Sequence, residues 1–137
     1  MIGILIVTHG TLGDALIGSA THILGKPPEN LRVLPVRNSD RPEDLLENAR
    51  EQIAALDEGQ GVLLLSDICG GTPCNVVTRL VVPGRIEAVS GVSLPMLVRA
   101  LTYRHLSLSQ VVDKALSGGT EGVIQLHGEA ANATSRS

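Results

Sequence analysis

Phenylalanine and tryptophan are absent from this sequence, and Tyr103 is its single tyrosine. The core must therefore be aliphatic. Ligands that are held by stacked rings, such as flavins or single-stranded nucleic acids, find almost nothing to stack on. Clustered basic residues are missing too, and with a net charge of −3 the chain lacks the electrostatic footprint of a nucleic-acid binder. No long apolar run occurs. Ile2 to Val7 is too short for a membrane span or a signal-peptide core and has no basic segment before it. This argues against export and for a cytoplasmic protein. Cysteine is scarce: Cys69 and Cys74 stand in one Gly-rich stretch and read as reduced thiols without assigned chemistry, not as a staple. The histidines other than His9, namely His22, His105 and His127, pair with no Cys, carboxylate or other His at a dependable ligand spacing. No metal and no cofactor is expected.

With 43% apolar and 18% charged residues in 137, the composition is that of a globular chain of one-domain size. Aliphatic runs alternate with helical patterns throughout, the signature of βα units around a mainly parallel sheet. Strands are predicted at Ile2 to Thr8, Leu31 to Val36, Val62 to Leu65 and Ile86 to Ser90. The run Val62-Leu63-Leu64-Leu65 has no polar alternation, as expected of a central strand covered on both faces. Helices are predicted from Leu12 to Gly25, from Pro42 to about Leu56, from Pro73 through Leu80, from Leu94 to Arg104 and from Ser109 to Leu116. Val123 to Leu126 reads as a last edge strand after a Gly118-Gly119 hinge. No internal repeat or linker interrupts the chain. The tail from residue 129 to 137 is polar and expected to be disordered.

In open parallel α/β sheets ligands gather beyond the carboxyl ends of the strands. Two segments at such ends carry unusual chemistry, "VTHGTLG" after the first strand and "SDICGGTPCN" after the third. In the second, Asp67 follows the strand, Gly70-Gly71 permits a tight turn, and Thr72-Pro73 reads as an N-cap with proline at the first helical position. Gly70, Gly71 and Thr72, at a helix start with bare amides, make an anion cradle that phosphate would fit. In the common strand order 2-1-3-4 the first and third strands are neighbours, which brings Asp67 within reach of His9. A carboxylate bonded to one ring nitrogen fixes the tautomer and leaves the other nitrogen as a nucleophile for phosphorus. Taken singly, a strand-end His beside Gly, an Asp before Gly-Gly and a Thr-Pro helix start are ordinary turn residues. Their convergence on one sheet edge is what points to chemistry.

The segments "ILIVTHGTLGDAL", "GVLLLSDICGGTPCNVV" and "EAVSGVSLPMLVRAL", in this order and spacing, resemble the IIA components of the mannose family of the bacterial phosphoenolpyruvate-dependent sugar phosphotransferase system. The likeness runs to about Gly128, so residues 1–128 would form one mannose-type EIIA domain. The resemblance implies that His9 takes a phosphoryl group from the phosphocarrier protein HPr and passes it to a histidine of a IIB component. Asp67 would orient His9, and the protein would meet a membrane only indirectly, through a transporter. It further implies an open three-layer α/β sandwich of four parallel strands, with the C-terminal antiparallel strand exchanged within a homodimer.

A regulatory module, whose phosphorylation state switches its partners without sugar transport, would carry the same phosphohistidine. A histidine phosphatase would place arginine before the histidine, where this chain has Thr8. A flavodoxin-like flavin site would need aromatics that the chain lacks.

Overall fold

The computed structural model describes residues 1–129. The elements follow in the order β1 (Gly3–His9), α1 (Leu12–Leu24), β2 (Leu31–Val36), α2 (Pro42–Leu56), β3 (Val62–Ser66), α3 (Thr72–Leu80), β4 (Ile86–Ser90), α4 (Leu94–Thr102) and α5 (Leu108–Glu121). The strands form one parallel sheet in the order β2-β1-β3-β4, as the sequence predicts.

The sheet is parallel because each strand is followed by a helix that must cross back over one face. Alternate residues of the central strands then feed two separate cores. Ile4, Ile6, Leu63 and Leu65 pack with Ala20 of α1, with Leu97 and Ala100 of α4 and with Val111 of α5. Leu5, Val7, Val62 and Leu64 pack with Leu46 and Ala49 of α2 and Val76 and Val77 of α3. All eight strand residues are fully buried. Each such side chain contributes roughly 1.5–3 kcal/mol by leaving water, so the inner strand pair dominates the energetics of the fold.

The amino-terminal end of the sheet is closed by Arg104, which lies in the turn after α4 and is almost wholly buried. Its guanidinium donates to the carbonyl of Ile2 at 2.9 and 3.1 Å, to that of Asn30 at 2.6 Å and to that of Glu29. Burial pulls its pKa down, against the opposing charges of Glu58 and Glu29.

One expectation at the carboxyl end of the chain is corrected. Gly118 and Gly119 are not a hinge but lie inside α5, which starts at Leu108 under a capping box of Ser107 and Gln110 and continues to Glu121. Glycine is needed at 118 because α4 crosses there. A Cβ would stand 2.9 Å from Arg99 Cβ and 3.1 Å from the Pro95 carbonyl oxygen. Val123 to Leu126, expected as an edge strand, form no strand among the described residues of the single chain. Val123, Ile124 and Leu126 are 86, 69 and 87% exposed. A single strand without a neighbouring ladder has no partner for its backbone groups, so this run gains nothing by becoming one within a lone chain. From residue 130 on, the tail expected to be disordered lies outside the described residues.

Two of the helical glycines, Gly18 and Gly118, offer a test of opposite sign. Nothing lies within 4 Å of a Cβ built on Gly18, so Gly18→Ala is expected to stabilise the chain by about 0.5–1 kcal/mol through helix propensity. Gly118→Ala gains the same propensity but forces α4 and α5 apart, and is expected to destabilise by about 1–2 kcal/mol net. Urea unfolding midpoints of the two variants check this; midpoints shifted the same way would refute it.

Candidate phosphoryl site

β1 and β3 run side by side with Val7 opposite Ser66. The next residues outward are therefore Thr8 and His9 on one strand and Asp67 on the other. The ladder does not end in loose backbone. The His9 N–H, which would otherwise seek a carbonyl of the neighbouring strand, donates to Asp67 Oδ2 at 2.9 Å, and the same oxygen lies 2.8 Å from His9 Nδ1. The other carboxylate oxygen accepts from the Ile68 N–H at 2.9 Å. Asp67 thus bridges a strand end, an imidazole and the start of its own loop.

Burial alone would raise the Asp67 pKa. The hydrogen bonds from the His9 backbone and ring and from the Ile68 backbone, together with the charge of His9, outweigh it and hold the carboxyl below its ordinary value. Asp67 is the sheltered member of the pair, 11% exposed, whereas the His9 side chain is 50% exposed. With Nδ1 facing the carboxylate, the proton belongs on that nitrogen and the lone pair on Nε2.

Nε2 lies at the start of α3. A Cβ built on Gly71 would come within 3.0 Å of His9 Cε1 and 3.4 Å of Nε2, so glycine is what lets the loop approach the ring face. Gly71 is the N-cap residue of α3, in extended conformation, and Thr72 is the first helical residue. This moves the expected helix start by one position: Thr72 is not the cap, its side chain makes no capping bond, and Pro73 is second in the helix. Gly70 precedes them with φ +98°, a left-handed conformation that favours glycine. Of the first-turn amides, that of Asn75 is taken by the Gly71 carbonyl at 3.0 Å and Pro73 has none. The N–H groups of Thr72 and Cys74 remain at the positive end of the helix, beside the ring nitrogen that carries the lone pair.

The site is a rim, not a cavity. A cavity of about 430 Å³, lined by Lys26, Pro28, Leu101 and His105 among others, opens at the opposite end of the sheet, where Arg104 sits. A half-exposed imidazole on a rim suits a donor that is itself a macromolecule.

The structure brings together the five residues singled out from the sequence, His9, Asp67, Gly70, Gly71 and Thr72. It also shows groups that sequence reasoning passed over. The hydroxyls of Thr8 and Ser66, each one residue before a site residue, are buried and have no hydrogen-bond partner among the described residues. Cys69, exposed, and Cys74, half-buried, flank Gly70 to Pro73 as free thiols. Among the described residues no group of His, Cys, Asp and Glu is arranged to hold a metal ion, and no helix is long and apolar enough to cross a membrane.

A family model described as "PTS system fructose IIA component" matches residues 3–116. The "PTS system mannose-specific EIIAB component" of Escherichia coli (strain K12) is 38% identical over 125 residues, covering 89% of this chain and 38% of that protein. This chain therefore spans well under half of that relative's length. The "PTS system fructose-specific EIIA component" of Bacillus subtilis (strain 168) is 33% identical over 121 residues, covering 85% of this chain and 82% of the other. The crystal structure of phosphotransferase system component EIIA from Streptococcus agalactiae superposes with a TM-score of 0.81 at 28% identity, covering 91% of this chain and 97% of that one. Sequence family, fold and strand order agree, and the chain belongs to the mannose-type family of IIA components of the sugar phosphotransferase system.

Proposed function

We propose that this chain is a phosphoryl carrier of the sugar phosphotransferase system, a phosphotransferase that works through a phosphohistidine at His9. It takes the group from phosphorylated HPr and yields it to a IIB component. The observation that carries the reading is the orientation of one ring: Nδ1 is 2.8 Å from the Asp67 carboxylate, and Nε2 stands beside Gly71 and the start of α3.

In the accepting step the Nε2 lone pair attacks phosphorus while the bond from phosphorus to the donor's nitrogen breaks, and the donor ring leaves with that electron pair. His9 becomes a positively charged ring, stabilised by Asp67 through the Nδ1 proton. The amides of Thr72 and Cys74 and the dipole of α3 face the phosphoryl oxygens. In the donating step the same ring is the leaving group, and the same carboxylate keeps its charge tolerable until the acceptor's nitrogen has bonded to phosphorus. Asp67 therefore acts in both directions without gaining a proton. The exposed Ile68, in the loop beside Asp67, supplies apolar surface for a docking protein. The place of action is the cytoplasm, where both partners meet the rim.

The second part of the proposal is a homodimer in which Val123 to Leu126 is exchanged as an edge strand. Three large apolar side chains in four residues lie open to water in the single chain. Pairing with a second copy would bury them and satisfy their backbone groups.

Incubation with phosphoenolpyruvate, enzyme I and HPr is expected to add one acid-labile phosphoryl group, seen in the intact mass, which is lost in His9→Ala. An adduct that persists in that variant would refute the assignment. Asp67→Asn is expected to slow transfer roughly ten- to a hundred-fold, the usual scale for removing a ring nitrogen's outer partner, with the fold retained.

The same variant carries a pH signature. Because the folded carboxyl of Asp67 lies below its unfolded value of about 3.9, its contribution to stability is complete above that pH and is lost as pH falls through the lower, folded value. Wild-type stability should fall more steeply than that of Asp67→Asn below about pH 4. Parallel acid-unfolding curves would show that the pairing is not formed in solution. Finally, sedimentation should find a dimer for the full chain and a monomer for a chain ending at Gly122; an unchanged mass would reject the exchange.

A further inference from the structure

We propose that a groove at the amino end of the sheet, ringed by Arg50, Arg79 and Arg85, binds a small phosphomonoester with an apolar or planar organic part, such as a nucleoside monophosphate. This site is independent of the carrier reading.

The groove has a volume of about 710 Å³, within the range of small-molecule sites. It opens on the face of the sheet covered by α2 and α3, where both helices end and β4 begins. Three different elements each bring one arginine to it. Arg50 lies on α2, Arg79 in the last turn of α3, and Arg85 in the turn before β4. All three are exposed, and among the described residues none of them forms an ion pair or a side-chain hydrogen bond. The negative end of a helix attracts a cation, which accounts for Arg79. It does not account for Arg50, which lies before the last turn of α2, or for Arg85, which belongs to no helix. In a chain with a net charge of −3, the groove is a local reversal of sign.

The rim is held in place by the backbone. The Arg85 N–H donates to the Val82 carbonyl at 2.9 Å, and the Arg85 carbonyl accepts from the Val62 N–H at 3.0 Å. That second bond ties the turn to β3, and Gly61 leaves room for it: a Cβ there would stand 2.8 Å from the Arg85 oxygen. Asp57 is the single acidic residue of the lining. Its Oδ1 is committed to its own turn, accepting from the Gly59 N–H at 2.8 Å and the Gly61 N–H at 3.3 Å.

Charge and shape then select the ligand. Three guanidinium groups against one carboxylate leave two net positive charges, which a phosphomonoester dianion balances. Guanidinium forks match phosphate oxygens with pairs of parallel bonds, and a cleft lined by one sign of charge concentrates its counter-ion. The floor is apolar, with Ile53 and Leu80 only 6 and 5% exposed and Val82 open to water. Besides the four charged residues, the lining carries no polar side chain among the described residues. A hydroxyl-rich body finds little there to pair with, whereas a flat or apolar one covers surface that water now touches.

Adenosine monophosphate is titrated into the full chain at low salt, followed by calorimetry and by amide shifts of nitrogen-labelled protein, with glucose 6-phosphate and inorganic phosphate as companions. The nucleotide is expected to bind roughly tenfold more tightly than either companion, because only it covers the apolar floor. The largest shifts should fall at Gly59, Gly84 and Arg85. Arg50→Ala, Arg79→Ala and Arg85→Ala should each weaken binding roughly tenfold, and Arg79→Lys, which keeps the charge but not the fork, by less. Acidification through about pH 6 should weaken it as well, since the phosphate dianion gains a proton there. His9→Ala is expected to bind as the wild type does. Shifts confined to Gly70 through Cys74, or a loss of binding in His9→Ala, would put the phosphate at the start of α3 and overturn the site. Affinity untouched by all three alanine substitutions would overturn it too, and equal affinity for glucose 6-phosphate would overturn the choice of an apolar body.

Discussion

The pairing of β1 with β3 is the constraint on which the molecule depends. Both strands are buried on both faces and supply the largest fully buried side chains of the two cores. Because side chains alternate along a strand, a slip of one residue would turn Leu5 and Val7 toward the wrong helices and is strongly penalised. The register that satisfies the cores also sets Val7 opposite Ser66. That in turn leaves Asp67 next beyond the pairs on one strand and, after the buried Thr8, His9 on the other. The contact between imidazole and carboxylate is therefore specified by hydrophobic side chains that never touch it.

That dependence explains why so much was legible in the sequence. Uninterrupted aliphatic runs such as Val62 to Leu65, separated by helical patterns with Pro at their starts and Gly at their ends, identify a doubly covered parallel sheet. A single assumption about strand order then suffices to bring two distant loops together. The parts that misled reading are those in which a residue's meaning depends on a neighbour from elsewhere in the chain. Gly118 and Gly119 looked like a hinge because glycine usually weakens a helix, but α4 crosses too closely to admit a side chain there. Thr72 looked like a cap because its hydroxyl and the following proline fit that role; the cap position falls to Gly71, which the ring of His9 requires to be bare.

The site uses little charge. One carboxylate orients one ring, and the remaining electrostatic work falls to peptide groups at the start of α3, which cannot titrate. Such a cradle favours a phosphoryl group without clamping it, whereas an arginine fork would hold phosphate tightly and in bidentate fashion. A carrier has to release what it accepts. The position before His9 is occupied by Thr8, which is buried and turned away from solvent, so no cation adjoins the ring from that side.

At the other end of the sheet, Arg104 grips its neighbours only through main-chain oxygens, those of Ile2, Glu29 and Asn30. Every amino acid carries that oxygen, so the clasp is blind to what stands at positions 2 and 29. The guanidinium itself has no substitute, since lysine lacks the fork that reaches several carbonyls at once. Drift in the sequence should therefore be lopsided at this corner: exchanging one apolar residue for another at the buried position 2 leaves the clasp whole, whereas exchanging Arg104 undoes it.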